Sequence, residues 1–208
     1  MSRPSNTEER RGQIVRALSR VMATHGYAGA SVARIAEAAG LTPGLIHYHF
    51  ASKQEILLAL IEGVTSAARR RIDARIAGAG PGGRARLHGL LDGLLATGSD
   101  AAPHLVACWA LLGAEAARQR EVRSVWEPWL AATKLETERL LRAACREEGR
   151  SASGVGAMAV ALVAAAEGYY AIAAAAPSII PAGSAAKMTR RMADGLLDSQ
   201  PFTKGGVR

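Results

Sequence analysis

The residues best equipped for chemistry in this 208-residue chain lie between Glu37 and Glu55, a stretch without a single carboxylate. It holds Thr42, His47, Tyr48, His49, Ser52 and Lys53. Hydroxyl, imidazole, phenol and ammonium groups with no negative charge among them can approach phosphate without like-charge repulsion. The same stretch offers little to catalysis. His47 and His49 are two apart, which on a helix points them to different sides, and His25, His88 and His104 are isolated, so no metal site is expected. Cys108 and Cys145 lack zinc spacing, a disulfide framework and any motif that would make either a nucleophile. No cofactor motif such as a glycine-rich phosphate loop occurs. A second chemistry-bearing set is aromatic. Trp109, Trp126, Trp129, Tyr169 and Tyr170 are five of the nine aromatic residues, and Glu115 and Glu167 lie near them in sequence. Rings beside a carboxylate suit a cationic or amphipathic ligand; they suit the filling of a core at least as well.

The elements that must hold these groups are helices. Apolar residues make up 49% of the chain and aromatics only 4%, with Ala, Leu and Arg abundant and no sustained period-two alternation, which predicts an all-α protein. The net charge is +8, and residues 1–71 carry ten Lys/Arg against five Asp/Glu, so +5 of it falls in the first third. A polyanionic partner follows as an expectation. Residues 1–13 are charged and lead into no apolar signal core, so secretion is not expected. The apolar run 155–176 is alanine-dominated and broken by Glu167, which reads as a buried helix of a soluble, cytoplasmic protein rather than a membrane span.

The first helix is expected from about Thr7 to Thr24, stopped by Gly26, with Ile14, Ala17, Leu18, Val21 and Met22 on its buried face. Arg10, Arg11, Arg16 and Arg20 stay off that face. Ser31 caps a short second helix, Val32 to Ala39, which Gly40 ends. Thr42 caps a third, Pro43 to Phe50, with proline at its first position. Ile46, His49 and Phe50 face inward in that helix; Gly44, Leu45, His47 and Tyr48 face away. Gly44 lets backbone come near phosphate, His47 and Tyr48 can bond phosphate or base edges, and Leu45 can touch a thymine methyl. Ser52 and Glu55 form a capping box opening a fourth helix that ends near Ala77. The remainder predicts five more helices: one with the stripe Leu87, Leu90, Leu91, Leu94 and Leu95, then Pro103–Arg118, Glu121–Glu148 with Pro128 inside, Ser151–Ala176 and Ser184–Leu197. The triplet Arg69–Arg71 reads as a solvated helix face.

Three short helices with a glycine turn between the second and third follow the helix-turn-helix plan. The run from Ser31 to Leu57, SVARIAEAAGLTPGLIHYHFASKQEIL, resembles the DNA-binding signature of TetR-family transcriptional regulators. That signature has a Thr/Ser-x-x-x-Ile-Ala core, a glycine turn, an aromatic-rich recognition helix ending in Phe, and Ser-Lys-x-x-Leu. The close match covers about residues 10–60. The resemblance implies that Thr42, Pro43, Leu45, His47 and Tyr48 contact DNA, that Lys53 meets phosphate, and that Ser31 and Arg34 contribute at the start of the second helix. Pro43, Leu45 and His47 stand where Lys, Thr and Tyr are common in the family, so the operator sequence does not carry over.

The resemblance also implies a domain plan: residues 1–52 as the DNA-binding domain, 53–197 as a larger helical ligand-binding and dimerisation domain, and 198–208 as a disordered tail. It implies a homodimer on double-stranded operator DNA, with Val155, Met158, Leu162, Val163, Ile172, Leu196 and Leu197 at the subunit interface. A small-molecule effector is expected among Trp109, Glu115, Trp126, Trp129, Glu167 and Tyr170. No membrane, metal or cofactor enters this picture. Two rival classes remain, a sequence-independent DNA-packaging protein and, less favoured, a small-molecule enzyme.

Overall fold

The computed structural model describes residues 6–95, 103–181 and 183–203, and among these the secondary structure is nine α-helices, one 3₁₀ turn and one isolated antiparallel bridge. The helices are α1 (Asn6–Gly29), α2 (Val32–Ala39), α3 (Pro43–His49), α4 (Lys53–Gly78), α5 (Gly83–Leu94), α6 (Pro103–Arg118), α7 (Arg120–Glu147), α8 (Val155–Ala175) and α9 (Ser184–Asp198). The all-α expectation holds. Gly26 interrupts α1 with a left-handed φ of 64°, which is where the sequence placed its end. Pro128 lies inside α7, which runs on through it.

The chain forms two compact units, and the division does not fall at residue 52. One unit comprises the described residues up to Thr65 with Pro103–Glu127; the other comprises the described residues of 66–102 and those from Pro128 onward. The expected boundary put α6 with the larger domain, but α6 packs on α1 and belongs to the N-terminal unit. Sequence periodicity marks which face of a helix is apolar and cannot say which helix covers it. Both α4 and α7 supply residues to the two units.

The core of the N-terminal unit joins Ile14, Ala17, Leu18 and Met22 of α1 to Ile35 and Ala36 of α2, Ile46 of α3, Phe50, and Ile56, Leu57, Leu60 and Ile61 of α4, all buried. α1, α2 and α3 pack on one another. Cys108, Trp109 and Leu112 of α6 and Trp126 of α7 are buried too. Arg123 donates to the carbonyls of Ala116 (3.1 Å) and Ala117 (2.8 Å), covering the end of α6 where α7 begins.

In the other unit α5 approaches its neighbours through glycines. A Cβ at Gly93 would stand 2.6 Å from the Cα of Ile72, and one at Gly89 2.6 Å from the carbonyl oxygen of Arg75. Arg71 donates to the Gly93 carbonyl at 2.6 Å, so it is a brace between α4 and α5 rather than part of a solvated triplet. Arg69 does face solvent, paired with Asp73 one turn on at 2.9 Å. Arg84 at the start of α5 gathers three carboxylates: Glu148 (2.7 Å), Asp194 (3.0 Å) and Asp198 (2.7 Å). Those partners hold its guanidinium charged, and it in turn holds Glu148 and Asp198 below the ordinary carboxylate range.

Two sequence expectations are corrected in this unit. Residues 198–203 are not disordered: the Ser151 N–H donates to Pro201 (2.8 Å), the Thr203 N–H to Gly149 (2.9 Å), and Arg150 lies over the Phe202 ring. The rest of the expected tail lies outside the described residues. The expected interface set also turns mostly inward. Val155, Met158, Leu162, Val163 and Leu197 are buried within the single chain and Leu196 is half-buried. Ile172 alone of the seven is exposed, at 45%. α8 is apolar on nearly every side, so periodicity could not tell its core face from its outer face. The outer face carries Ala157, Val160, Ala161, Ala164, Ala171 and Ile172, and α9, against which α8 packs, exposes Met188 and Met192.

Candidate nucleic-acid interface

α2 and α3 are set by their ends. The Ser31 side chain accepts the Arg34 N–H at 3.3 Å, capping α2 as expected. At the other end Gly40 is left-handed (φ 64°), its N–H donates to Glu37 (3.0 Å) and the Leu41 N–H to Ala36 (2.9 Å). These two bonds make a Schellman stop, and a Cβ would strain the positive φ it requires. Thr42 then accepts the Leu45 N–H at 3.3 Å and Pro43 takes the first helical position. Two caps separated by a single left-handed glycine fix the angle between α2 and α3.

α3 is seven residues long, and Ile46 is its only buried side chain; Phe50, just beyond it, is buried as well. Thr42, Pro43, Gly44 and His47 are exposed, Leu45 is half-buried, and Tyr48 is 79% exposed. The ring of His49, half-buried, meets that of Tyr48 edge-on at 5.0 Å. The split follows the expected phases at Gly44, Ile46, His47, Tyr48 and Phe50, while Leu45, expected outward, and His49, expected inward, are both half-buried. The Tyr48 phenol therefore stands in solvent on a helix with no acidic residue. Ser31 and Arg34 are exposed as well, with Arg34 donating to the Gly29 carbonyl at 2.8 Å.

Lys53 is placed differently from its expected role. Its Nζ donates to the Tyr27 carbonyl at 2.9 Å and stands 4.2 Å from the centre of the Tyr27 ring. It is a half-buried brace between α4 and the last turn of α1. Tyr27 also donates its hydroxyl to Gln54 Oε1 at 2.8 Å. Burial raises the Tyr27 phenol, with the charge of Glu115 adding to it.

The sequence missed three side chains of α1 that close this surface from behind. Gln13 donates to the Ala39 carbonyl (2.6 Å) and Arg20 to that of Ala38 (2.7 Å), satisfying the end of α2. Arg11 donates to the His49 carbonyl, lies 3.9 Å above the Phe50 ring and pairs with Glu55 at 3.2 Å. The Ser52 half of the capping box forms, with the Glu55 N–H on Ser52 Oγ (3.1 Å), while the Glu55 carboxylate accepts the N–H of Ala51 (2.8 Å), one residue before the cap. That backbone bond, then Arg11, holds the Glu55 carboxyl below its ordinary value. Basic residues off an apolar stripe look solvated in a sequence; only the paths of α2 and α3 bring carbonyls to them.

The six expected ligand residues are divided between the two units. Trp109 and Trp126 meet edge to face at 4.9 Å in the N-terminal unit, both buried. Glu115 is in the same unit, where it accepts from Gln119 at 2.5 Å. Trp129, Glu167 and Tyr170 belong to the other unit, where Tyr170 donates to the Leu94 carbonyl at 2.7 Å and burial pushes its phenol up to about 12. A cavity of about 510 Å³ opens elsewhere, lined by Ala74, Arg75, Gly78, Ala79, Ala85, His88, Gly89 and Asp92, and includes none of the six. Burial pushes the Cys108 thiol up to about 12 and raises that of Cys145, so both rest as neutral thiols.

Comparison with known proteins agrees with this geometry. Residues 14–60 match the family model described as bacterial regulatory proteins, tetR family. The chain is 33% identical over 154 residues to the HTH-type transcriptional regulator BetI of Rhizobium meliloti, covering 72% of this chain and 73% of that protein. It is 45% identical over 58 residues to the HTH-type transcriptional repressor AcnR of Corynebacterium diphtheriae, 27% of this chain and 30% of that one. The fold is that of a transcriptional regulator from Saccharomonospora viridis crystallised with choline, at a TM-score of 0.73 and 20% identity, covering 95% of this chain and 100% of the other.

Proposed function

The chain belongs to the TetR family of transcriptional regulators, and from that premise we propose that it is a cytoplasmic, ligand-responsive repressor that binds a palindromic operator as a homodimer. The observation that carries the DNA-binding reading is the exposed, carboxylate-free face of α3, with Tyr48 at its centre and both helix ends capped. Thr42, Pro43, Gly44, Leu45, His47 and Tyr48 form the proposed reading surface, flanked by Ser31 and Arg34. Lys53 contributes by holding α4 in place, and its remaining N–H donors can meet phosphate.

The uncharged outer face of α8, with Val160 and Ile172, and the methionines of α9 support the homodimer, since a second copy covers an apolar face that one chain leaves in water. Two-fold symmetry then sets two reading helices for half-sites about 34–36 Å apart, which implies a palindrome. Repression is the reading that the name of the Corynebacterium relative supports. The proposed effector is a small cationic or amphipathic molecule. The Trp109–Trp126 pair, with Glu115 on the helix that carries Trp109, supports that class, as does the choline found with a protein of this fold. α4 runs unbroken from Lys53 to Gly78 and carries residues of both units, which makes it the proposed lever between effector and DNA.

The test is selection of duplexes from random sequence by the purified protein, followed by competition of the selected duplex against a scrambled one at physiological salt. The expected preference is about 10³-fold or more, lost in Tyr48→Ala while the circular dichroism spectrum is kept. Binding with no preference would instead establish a sequence-independent DNA-binding protein. Absence of DNA binding would remove both readings.

A further inference from the structure

Arg11 of α1 sits behind the reading helix at the point where that helix has least support of its own. A seven-residue helix is far below the length that holds itself together in water, and α3 anchors itself through Ile46 and, one residue past its end, Phe50. Its C-terminal carbonyls also lack intrahelical partners. The Arg11 guanidinium supplies what is missing with one rigid group. Its Nη1 donates to the His49 carbonyl, its Cζ lies 3.9 Å from the Phe50 ring centre, and its Nη2 meets the Glu55 carboxylate at 3.2 Å. Glu55 in turn holds the Ala51 N–H at 2.8 Å. One side chain from α1 thus fixes the last carbonyl of α3, the ring that follows it and the first turn of α4. A cation at a helix C-terminus also opposes the negative end of the dipole.

We propose that Arg11 is a positioning residue for sequence reading: it sets the orientation of α3, and with it Tyr48 and His47, without touching DNA. The proposal rests on the operator-binding reading above. Only a planar, multi-donor cation can stack on Phe50 while bonding a carbonyl and a carboxylate; a lysine keeps the charge and cannot make all three contacts.

The experiment uses the full chain, the duplex that wild type selects from random sequence, and a scrambled duplex, with Arg11→Lys and Arg11→Gln. The preference for the selected duplex is expected to fall about ten-fold or more in both variants, the discrimination that one good side-chain-to-base pairing carries. Affinity for scrambled DNA and the salt dependence should stay as in wild type, with an unchanged circular dichroism spectrum. If Arg11→Lys keeps the wild-type preference, the positioning role is wrong. If Arg11→Gln weakens selected and scrambled DNA equally and lowers the salt slope by about 0.9, Arg11 is a phosphate contact and the proposal is overturned. Should Arg11→Gln unfold, Arg11→Lys decides by the same readouts. Failure of wild type to select any sequence is a different outcome, which removes the operator-binding reading itself.

Discussion

Gly44 separates folding from DNA reading more cleanly than any other position on α3. A Cβ placed there meets nothing within 4 Å, and its φ is not positive, so Gly44→Ala introduces neither clash nor strain. Alanine is favoured over glycine inside a helix by about 0.8–1 kcal/mol. In the first turn part of that is realised, about 0.5 kcal/mol. At about 2–4 °C per kcal/mol for a chain of this size the midpoint should rise by about 1–2 °C. Against DNA the sign reverses. If the first turn of α3 lies on the duplex, the new methyl pushes the helix back by a carbon's width and at least one base contact is lost. A base pairing is worth about 1–3 kcal/mol, so affinity for the selected duplex should fall about ten-fold. The control is Gly63→Ala on α4, an equally open helical glycine, which should raise the midpoint without altering DNA binding. Thermal melts at one fixed protein concentration, paired with competition gel-shifts, read both signs. A Gly44→Ala protein that melts higher and binds the selected duplex as wild type does would refute the placement of α3 against DNA.

Three further outcomes follow from the larger unit. Gly93→Ala places its methyl 2.6 Å from the Ile72 Cα, backbone that no rotamer change can move aside; overpacking of about 3 kcal/mol against a propensity gain of about 1 leaves a loss of about 2 kcal/mol, read as a midpoint lower by about 4–8 °C. An unchanged or higher midpoint would mean that α5 does not approach α4 as described. The carboxyls of Glu148 and Asp198 are held below their ordinary values, first by the Arg84 hydrogen bonds. Their contribution to stability is therefore present above the unfolded values of 4.5 and 3.8 and is lost as pH falls through the lower folded ones. Arg84→Met should melt below wild type near neutrality, with the difference closing in acid; a gap independent of pH would contradict the ion-pair account. Val160→Glu, on the outer face of α8 where Val160 is 55% exposed, should leave the fold intact and lower the light-scattering mass from that of the proposed dimer to that of one chain; a dimeric mass kept by the variant would contradict this interface.

The sequence alone determined what depends on neighbours along the chain. The caps at Ser31, Thr42 and Ser52, the left-handed stop at Gly40 and the inward phase of Ile46 and Phe50 are local events, since a cap bonds to an N–H three residues on. They fix the helix-turn-helix and leave Tyr48 outside, so the exposed face of α3 was legible in the sequence. Tertiary structure decided everything that depends on which helix lies across from which. It turned Val155, Met158, Leu162 and Val163 into core, because an all-apolar helix carries no mark of the side its own chain covers. It drew Lys53 onto Tyr27, fastened residues 198–203 to Gly149 and Ser151, and joined α6 to α1. Arg11 shows the reason most directly. Its partners His49 and Glu55 lie 38 and 44 residues away, and an arginine's long, flexible side chain looks the same in a sequence whether it ends in water or on another helix's last carbonyl.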